Sequence, residues 1–190
     1  MQLLTPADYR DMPWKNGGGT TRELYRLPYP SDPAGFALRL SIARVEQGGP
    51  FSAFPGIDRT LLLLDGDGVA LRFADGPETR LDRLLQPVEF AGEIPVACRL
   101  LGGPVRDFNA MVARDWGRLA LHAVDVAAGG RLALGGTSAV LAYLHRGSWR
   151  GEQAAPQSGS LLVLAAGETC ELVCEDGGCA IVATLDMLAP

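Results

Sequence analysis

Three short stretches hold most of the side chains in this chain that could do chemistry. The first is Trp14-Lys15-Asn16-Gly17-Gly18-Gly19-Thr20-Thr21-Arg22-Glu23. It sets an indole, an ammonium, an amide, two hydroxyls, a guanidinium and a carboxylate around three glycines, a mixture with no use in a core strand. Glycine loses more backbone freedom on folding than any other residue, so the triplet needs a reason: positive φ, or a close backbone approach. The second stretch is Phe51-Ser52-Ala53-Phe54-Pro55-Gly56-Ile57-Asp58-Arg59. Its Pro-Gly marks a turn, and Asp58 and Arg59 stand at the mouth of the apolar strand that follows. The third is Pro104-Val105-Arg106-Asp107-Phe108-Asn109-Ala110-Met111. If extended, it puts Asp107 and Asn109 on one face and Phe108 on the other.

The chemistry these residues offer is recognition of small polar groups. A guanidinium such as that of Arg59 grips a carboxylate through two parallel hydrogen bonds and stays charged at any relevant pH. Strand alternation points only one of residues 58 and 59 inward, so two readings are open: a pocket cation, or a surface arginine paired with Asp58. Trp14 is either core packing or an apolar wall with a single donor. Asn16-Gly17 on its own reads as a turn.

Other chemistries lack their parts. The glycine run has no following Gly-Lys-Ser/Thr, so it is not a phosphate loop. His122 and His145 are the only histidines. Both lie in strand candidates far from the three stretches, which leaves them structural or surface roles and no Ser-His-Asp or Cys-His pairing. Of the four cysteines, Cys170, Cys174 and Cys179 fall close together but without a Cys-x-x-Cys knuckle. Small buried apolar residues are the better reading than a zinc site.

The elements that must position these residues are strands. Phe36, Leu38, Leu40 and Ile42 alternate with Ala37, Arg39, Ser41 and Ala43, a period of two. Further candidates are residues 59–64, 69–74, 95–101, 119–126, 139–145, 161–165, 169–174 and 179–185. Asp65-Gly66 and Asp75-Gly76 read as hairpin turns. Residues 5–11, 82–86 and 107–114 are candidate short helices, and Tyr25 to Gly35, rich in proline, reads as a surface connection. Close-set strands with Gly and Pro between them point to an all-β sandwich or barrel. There is a faint repeat: Ala91-Gly92-Glu93 returns as Ala166-Gly167-Glu168 and Gly102-Gly103 as Gly177-Gly178, both at an offset of 75. Duplication of one β unit follows, over about residues 1–115 and 116–190.

Composition sets the outer bounds. The chain has 190 residues, 47% hydrophobic and 21% charged, with net charge -5. That is ordinary for a globular protein, and with basic residues scattered it gives no electrostatic case for nucleic acid. The N-terminus lacks a signal-peptide pattern and the apolar runs are too short to span a bilayer, so a cytoplasmic protein without membrane partners is expected.

Together the three stretches resemble the HutD/Ves family of bacterial proteins. The resemblance runs from Trp14 to about Arg114 and is carried by Trp-x-Asn-Gly-x-Gly-x-Thr-x-Glu, Phe-Ser-x-Phe-Pro-Gly-x-Asp-Arg and Pro-Val-x-Asp-Phe-Asn-x-Met. It implies a cupin-type (RmlC-like) double-stranded β-helix barrel, with two cupin units in one chain. Aligned to the metal-binding cupin pattern, Ser52 and Phe54 fall at the two histidine positions, Arg59 at the glutamate and Pro95 at the last histidine. In the second unit Ala133, Gly135, Val140 and Cys170 take those places. Neither set supplies the three or four converging ligands a metal needs, so no metal and no cofactor are expected.

In that frame Arg59 replaces a ligand carboxylate and makes the barrel mouth an anion site. Glu23, Asp107 and Asn109 supply the opposite polarity, which suits a small zwitterionic or amide-bearing carboxylate. The expected ligand-binding set is Trp14, Asn16, Glu23, Ser52, Phe54, Arg59, Asp107 and Asn109, with the glycine run lying close to the ligand. HutD-like members are associated with histidine utilisation, which implies a pathway intermediate such as formimino- or formylglutamate and a sensing or flux-limiting role. Two alternatives stand beside it. One is a metal-independent enzyme, an isomerase or hydrolase, with Glu23 or Asp107 as base. The other is a Ves-like, stress-related interaction protein. A homodimer through outer sheet edges is compatible with all three.

Overall fold

Period-two patterning punctuated by glycine and proline turns folds as strands nearly throughout. The computed structural model describes residues 1–152 and 155–188. In chain order the strands are β1 (Gln2–Leu4), β2 (Arg10–Pro13), β3 (Gly19–Tyr29), β4 (Asp32–Val45), β5 (Gly49–Pro50), β6 (Ile57–Asp65), β7 (Val69–Phe73), β8 (Glu78–Leu81) and β9 (Pro87–Ala91). They continue as β10 (Val96–Leu100), β11 (Val105–Ala113), β12 (Gly117–Val126), β13 (Arg131–Gly135), β14 (Ala139–Arg146), β15 (Trp149–Gly151), β16 (Leu161–Leu164), β17 (Thr169–Cys174) and β18 (Gly178–Met187). Among the described residues one 3-10 turn, Pro6–Asp8, is the only helical element.

The chain forms two compact units. Arg10–Gly117 holds a six-stranded sheet, β2-β3-β4-β11-β6-β9, and a four-stranded sheet, β5-β10-β7-β8. Leu61, Leu63, Leu71, Leu81, Val96, Cys98 and Val105, drawn from both sheets, make its core. The other unit, Met1–Tyr9 with Arg118–Pro190, holds a five-stranded sheet, β1-β16-β14-β18-β12, and a three-stranded sheet, β13-β17-β15. Its core includes Leu132, Ala142, Leu144, Trp149, Leu172 and Cys174. The two units share one strand order: β4-β11-β6-β9 matches β12-β18-β14-β16, and β5-β10-β7 matches β13-β17-β15. The 75-residue offset in the sequence superposes the β9–β10 turn on the β16–β17 turn.

Several local expectations give way. β1 pairs with β16, Leu3 opposite Leu162, so the first nine residues join the later unit and not the expected 1–115 unit. Residues 107–114 are not helical: β11 lies between β4 and β6, and its backbone hydrogen bonds are taken up by both neighbours. Residues 82–86 form no helix either. Tyr25 to Gly35 is no loose connection, because β3 and β4 run on as one long hairpin that turns between Tyr29 and Asp32. Pro28 sits where the register slips, as expected of a residue that cannot donate to a ladder. Asp75-Gly76 makes the expected β7–β8 hairpin. Asp65-Gly66 does not: it carries the chain from one sheet to the other. Gly66 has φ +93, and a Cβ there would stand 2.8 Å from the Pro104 carbonyl oxygen.

Candidate functional site

Three neighbouring strands build the floor of a cavity of about 630 Å³ inside the Arg10–Gly117 unit. Side chains on one face of β4, β11 and β6 fall into rows set by register. Arg39, Met111 and Arg59 make one row, Ser41, Asn109 and Leu61 the next, and Ala43, Asp107 and Leu63 a third. Alternation sends Leu38, Leu40, Leu62, Phe108 and Ala110 to the opposite face, where they are also buried. These strands are therefore buried on both faces, and the polar positions of β4 and β11 face an interior cavity.

Arg59 is the centre of this cavity. It retains only 6% exposure. The Phe51, Phe54 and Phe90 rings stand 5.3, 5.4 and 5.0 Å from its guanidinium carbon, a three-sided aromatic cage of cation–π contacts. Among the described residues its one hydrogen bond is long, from Nη1 to the Ser52 carbonyl at 3.4 Å, and its Nε has no partner. Burial pulls the guanidinium below its usual range, to about 10; the Asp107 charge opposes that and the Arg39 charge adds to it. It stays charged at neutral pH. Asp58 does not pair with it; the strand turns Asp58 outward to Arg114 at 2.7 Å.

The second motif owes its spacing to this cage. Phe51 and Phe54 are three apart on a loop tied down by Phe51 N–H to Val96 O and Phe54 N–H to Gly92 O, at 2.9 and 2.8 Å. Gly92 permits that approach, since a Cβ there would lie 2.7 Å from the Phe54 carbonyl oxygen. Pro55-Gly56, with φ +76 at Gly56, then turns the chain into β6.

Asp107 and Asn109 share the cavity face. Burial pushes the Asp107 carboxyl up to about 7, with the Arg59 charge pulling the other way. Asp107 in turn helps burial raise the neighbouring Cys98 thiol to about 11. The Asn109 Oδ1 and Ser41 Oγ atoms are buried without a hydrogen-bond partner. Orphaned buried polar atoms are costly, and here three of them, counting Arg59 Nε, line one cavity.

Seven of the eight residues expected from sequence line this cavity: Trp14, Asn16, Ser52, Phe54, Arg59, Asp107 and Asn109. Glu23 does not; it pairs at 2.8 Å with Arg39, which does. The Trp14 donor is already used, bonding Thr21 Oγ1 at 2.8 Å, so Trp14 offers an apolar wall alone. Asn16 accepts from Gly18 N–H at 3.0 Å and shapes the turn. The glycine run is a hairpin loop joining β2 to β3, and its glycines do not line the cavity. Gly17 takes φ +70, and a Cβ at Gly19 would stand 2.3 Å from the Arg44 carbonyl oxygen and 3.1 Å from the Trp14 ring. The triplet thus meets both needs, positive φ and close approach, but for packing the hairpin and not for a ligand. Sequence reasoning missed Arg39, Ser41, Phe51 and Phe90. Arg39 and Ser41 carried a signal, the polar half of the β4 alternation; Phe90 carried none.

Two sheets per unit, repeated in one chain with a shared strand order, define a bicupin. Solved bicupins match over nearly the full length: bacterial pirin from Escherichia coli gives a TM-score of 0.76 over 98% of this chain and 99% of that one at 11% identity, a likeness of fold alone. The HutD family model matches residues 6–182, and the chain belongs to the HutD family. A conserved Pseudomonas aeruginosa protein of unknown function is 33% identical, with TM-score 0.84 over 99% of each chain. HutD from Pseudomonas fluorescens, determined in a formate condition, is 28% identical, with TM-score 0.82 over 99% of each chain. An uncharacterized 21.2 kDa protein in the hutC 3' region of Pseudomonas putida is 44% identical over 125 residues, 66% of this chain and 65% of that one. The match to it thus spans just under two thirds of that relative. Protein Ves of Cronobacter sakazakii is 37% identical over 147 residues, 75% of this chain and 77% of that one.

Proposed function

We propose that this protein binds a small amino-acid-derived carboxylate in the β4–β11–β6 cavity and reports on or limits histidine utilisation. The observation that carries the reading is Arg59, a caged and buried cation whose Nε has no protein partner. A buried charge without a hydrogen-bonded counter-ion costs several kcal/mol, and an anion entering the cavity offsets that cost. A carboxylate would accept from Arg59. An amide or amine on the same molecule would donate to Asn109 Oδ1 and Asp107, and the Trp14 ring would wall the hydrocarbon part. The neighbourhood of the Pseudomonas putida relative, in the hutC 3' region, supports the link to histidine utilisation.

Calorimetric titration with formate, urocanate, formiminoglutamate and formylglutamate tests the reading. Expected are heats that saturate for at least one of the glutamate derivatives and vanish in Arg59→Ala. Absence of binding at millimolar ligand, or unchanged binding in Arg59→Ala, would count against it.

A further inference from the structure

Arg39 is the cavity's second guanidinium, and no sequence motif pointed to it. Its row in the sheet is Arg39–Met111–Arg59, so its Cα stands two strand spacings, roughly 10 Å, from that of Arg59 on the same face. Both side chains line the one cavity. Arg39 meets Glu23 through Nε only, Nε to Oε2 at 2.8 Å; among the described residues its terminal amines have no hydrogen-bond partner. Glu23 is itself half-buried and reaches in from β3, where it lies opposite Ser41. The carboxylate thus takes the guanidinium edge nearest the Arg39 stem and leaves the two-amine end for another acceptor. The two guanidiniums also repel each other, which adds to the pull of burial on Arg59. The cavity's charged groups are Arg59, Arg39 and the exposed Lys15 at its rim, against Asp107, with Glu23 behind Arg39. With Asp107 holding its proton below about pH 7, three cations stand against the one carboxylate of Glu23, which leaves room for two negative charges.

We infer that Arg39 is a second anion station and that the cavity selects a dianion, a short dicarboxylate bridging Arg59 and Arg39. The inference rests on the Arg59 site proposed above and narrows its ligand class. One carboxylate meets the Arg59 guanidinium under the phenyl cage. The other meets the free amines of Arg39, and the orphaned Ser41 Oγ and Asn109 Oδ1 lie in the adjoining row of the same face. Glu23 is a positioning residue that fixes the Arg39 plane.

The test is a titration series on the native protein with formate, acetate, succinate and glutarate, repeated in Arg39→Gln, Arg39→Lys and Glu23→Gln. The expected result is at least tenfold tighter binding of a dicarboxylate than of either monocarboxylate. Arg39→Gln should abolish that preference, so that a dicarboxylate binds this variant no tighter than a monocarboxylate does. Arg39→Lys should keep part of the preference, and Glu23→Gln should reduce it. Equal affinity for mono- and dicarboxylates in the native protein overturns the inference and leaves the Arg59 site standing, and this comparison needs no folded variant. A dicarboxylate preference untouched by Arg39→Gln also overturns the assignment. Failure of every carboxylate to bind the native protein removes the Arg59 reading and this one together.

Discussion

Asp107→Asn should erase a pH dependence of stability that Asp107 imposes. In the fold the carboxyl titrates at about 7 against an ordinary 3.8, because burial penalises its charge more than Arg59 rewards it. Below the ordinary value the group is protonated in both folded and unfolded chains and costs nothing. As pH rises toward 7 the unfolded chain ionises while the folded one holds its proton, so stability falls; above 7 the full penalty is present. At 1.36 kcal/mol for each unit, the loss is roughly 4 kcal/mol. The charge that acts on Asp107 is that of Arg59, and the neighbouring Cys98 stays protonated across this range. Urea unfolding of the native protein and of the Asp107→Asn variant from about pH 4 to about pH 8 reads the effect as the difference between the two curves, in which other titrations cancel. An unpaired amide costs the variant about 1–3 kcal/mol at every pH, so the baseline shifts but the slope does not. The variant should gain roughly 4 kcal/mol relative to native protein across the range. A difference that stays flat would refute the placement of Asp107 as a buried carboxyl held beside an incompletely neutralised arginine.

Other outcomes follow from the same geometry. Carboxylate affinity should be level below about pH 7 and fall above it, by at most tenfold per pH unit, as Asp107 ionises beside the bound anion; Asp107→Asn should flatten the profile, as calorimetry across pH would record. Phe90→Leu removes the cage wall nearest the Arg59 guanidinium and should cost about 1–2 kcal/mol in thermal or urea unfolding. Among the three hairpin glycines, alanine should be most damaging at Gly19, which faces the Arg44 carbonyl and Trp14 ring. Gly17, strained only by its φ, should come next, and Gly18, whose nearest contact would be 3.4 Å, should be mildest. Melting temperatures that reverse this order would refute the packing account of the triplet.

The sequence by itself determined the strand content, the repeat and seven of the cavity's lining residues, because each was written locally. Period-two alternation marked β4, an apolar run marked β6, and the 75-residue offset marked the duplicated turns. The Phe-Ser-x-Phe-Pro-Gly-x-Asp-Arg spacing encodes a loop that leads into β6 and brings two phenyl rings to Arg59. What the sequence left open was direction and partnership. The alternation in β4 does not say whether Arg39 and Ser41 face water or an interior cavity. That depends on both faces of the sheet being buried, a property of the sheets together. Nor does the chain order say that Phe90, from an edge strand, completes the Arg59 cage; β6–β9 pairing sets Arg59 opposite Phe90. Register across β4, β11 and β6 put two arginines in one row. The tertiary fold alone decided that the Trp14 donor is spent on Thr21 and Glu23 on Arg39, because hydrogen-bond partners are chosen by distance in space and not by spacing along the chain.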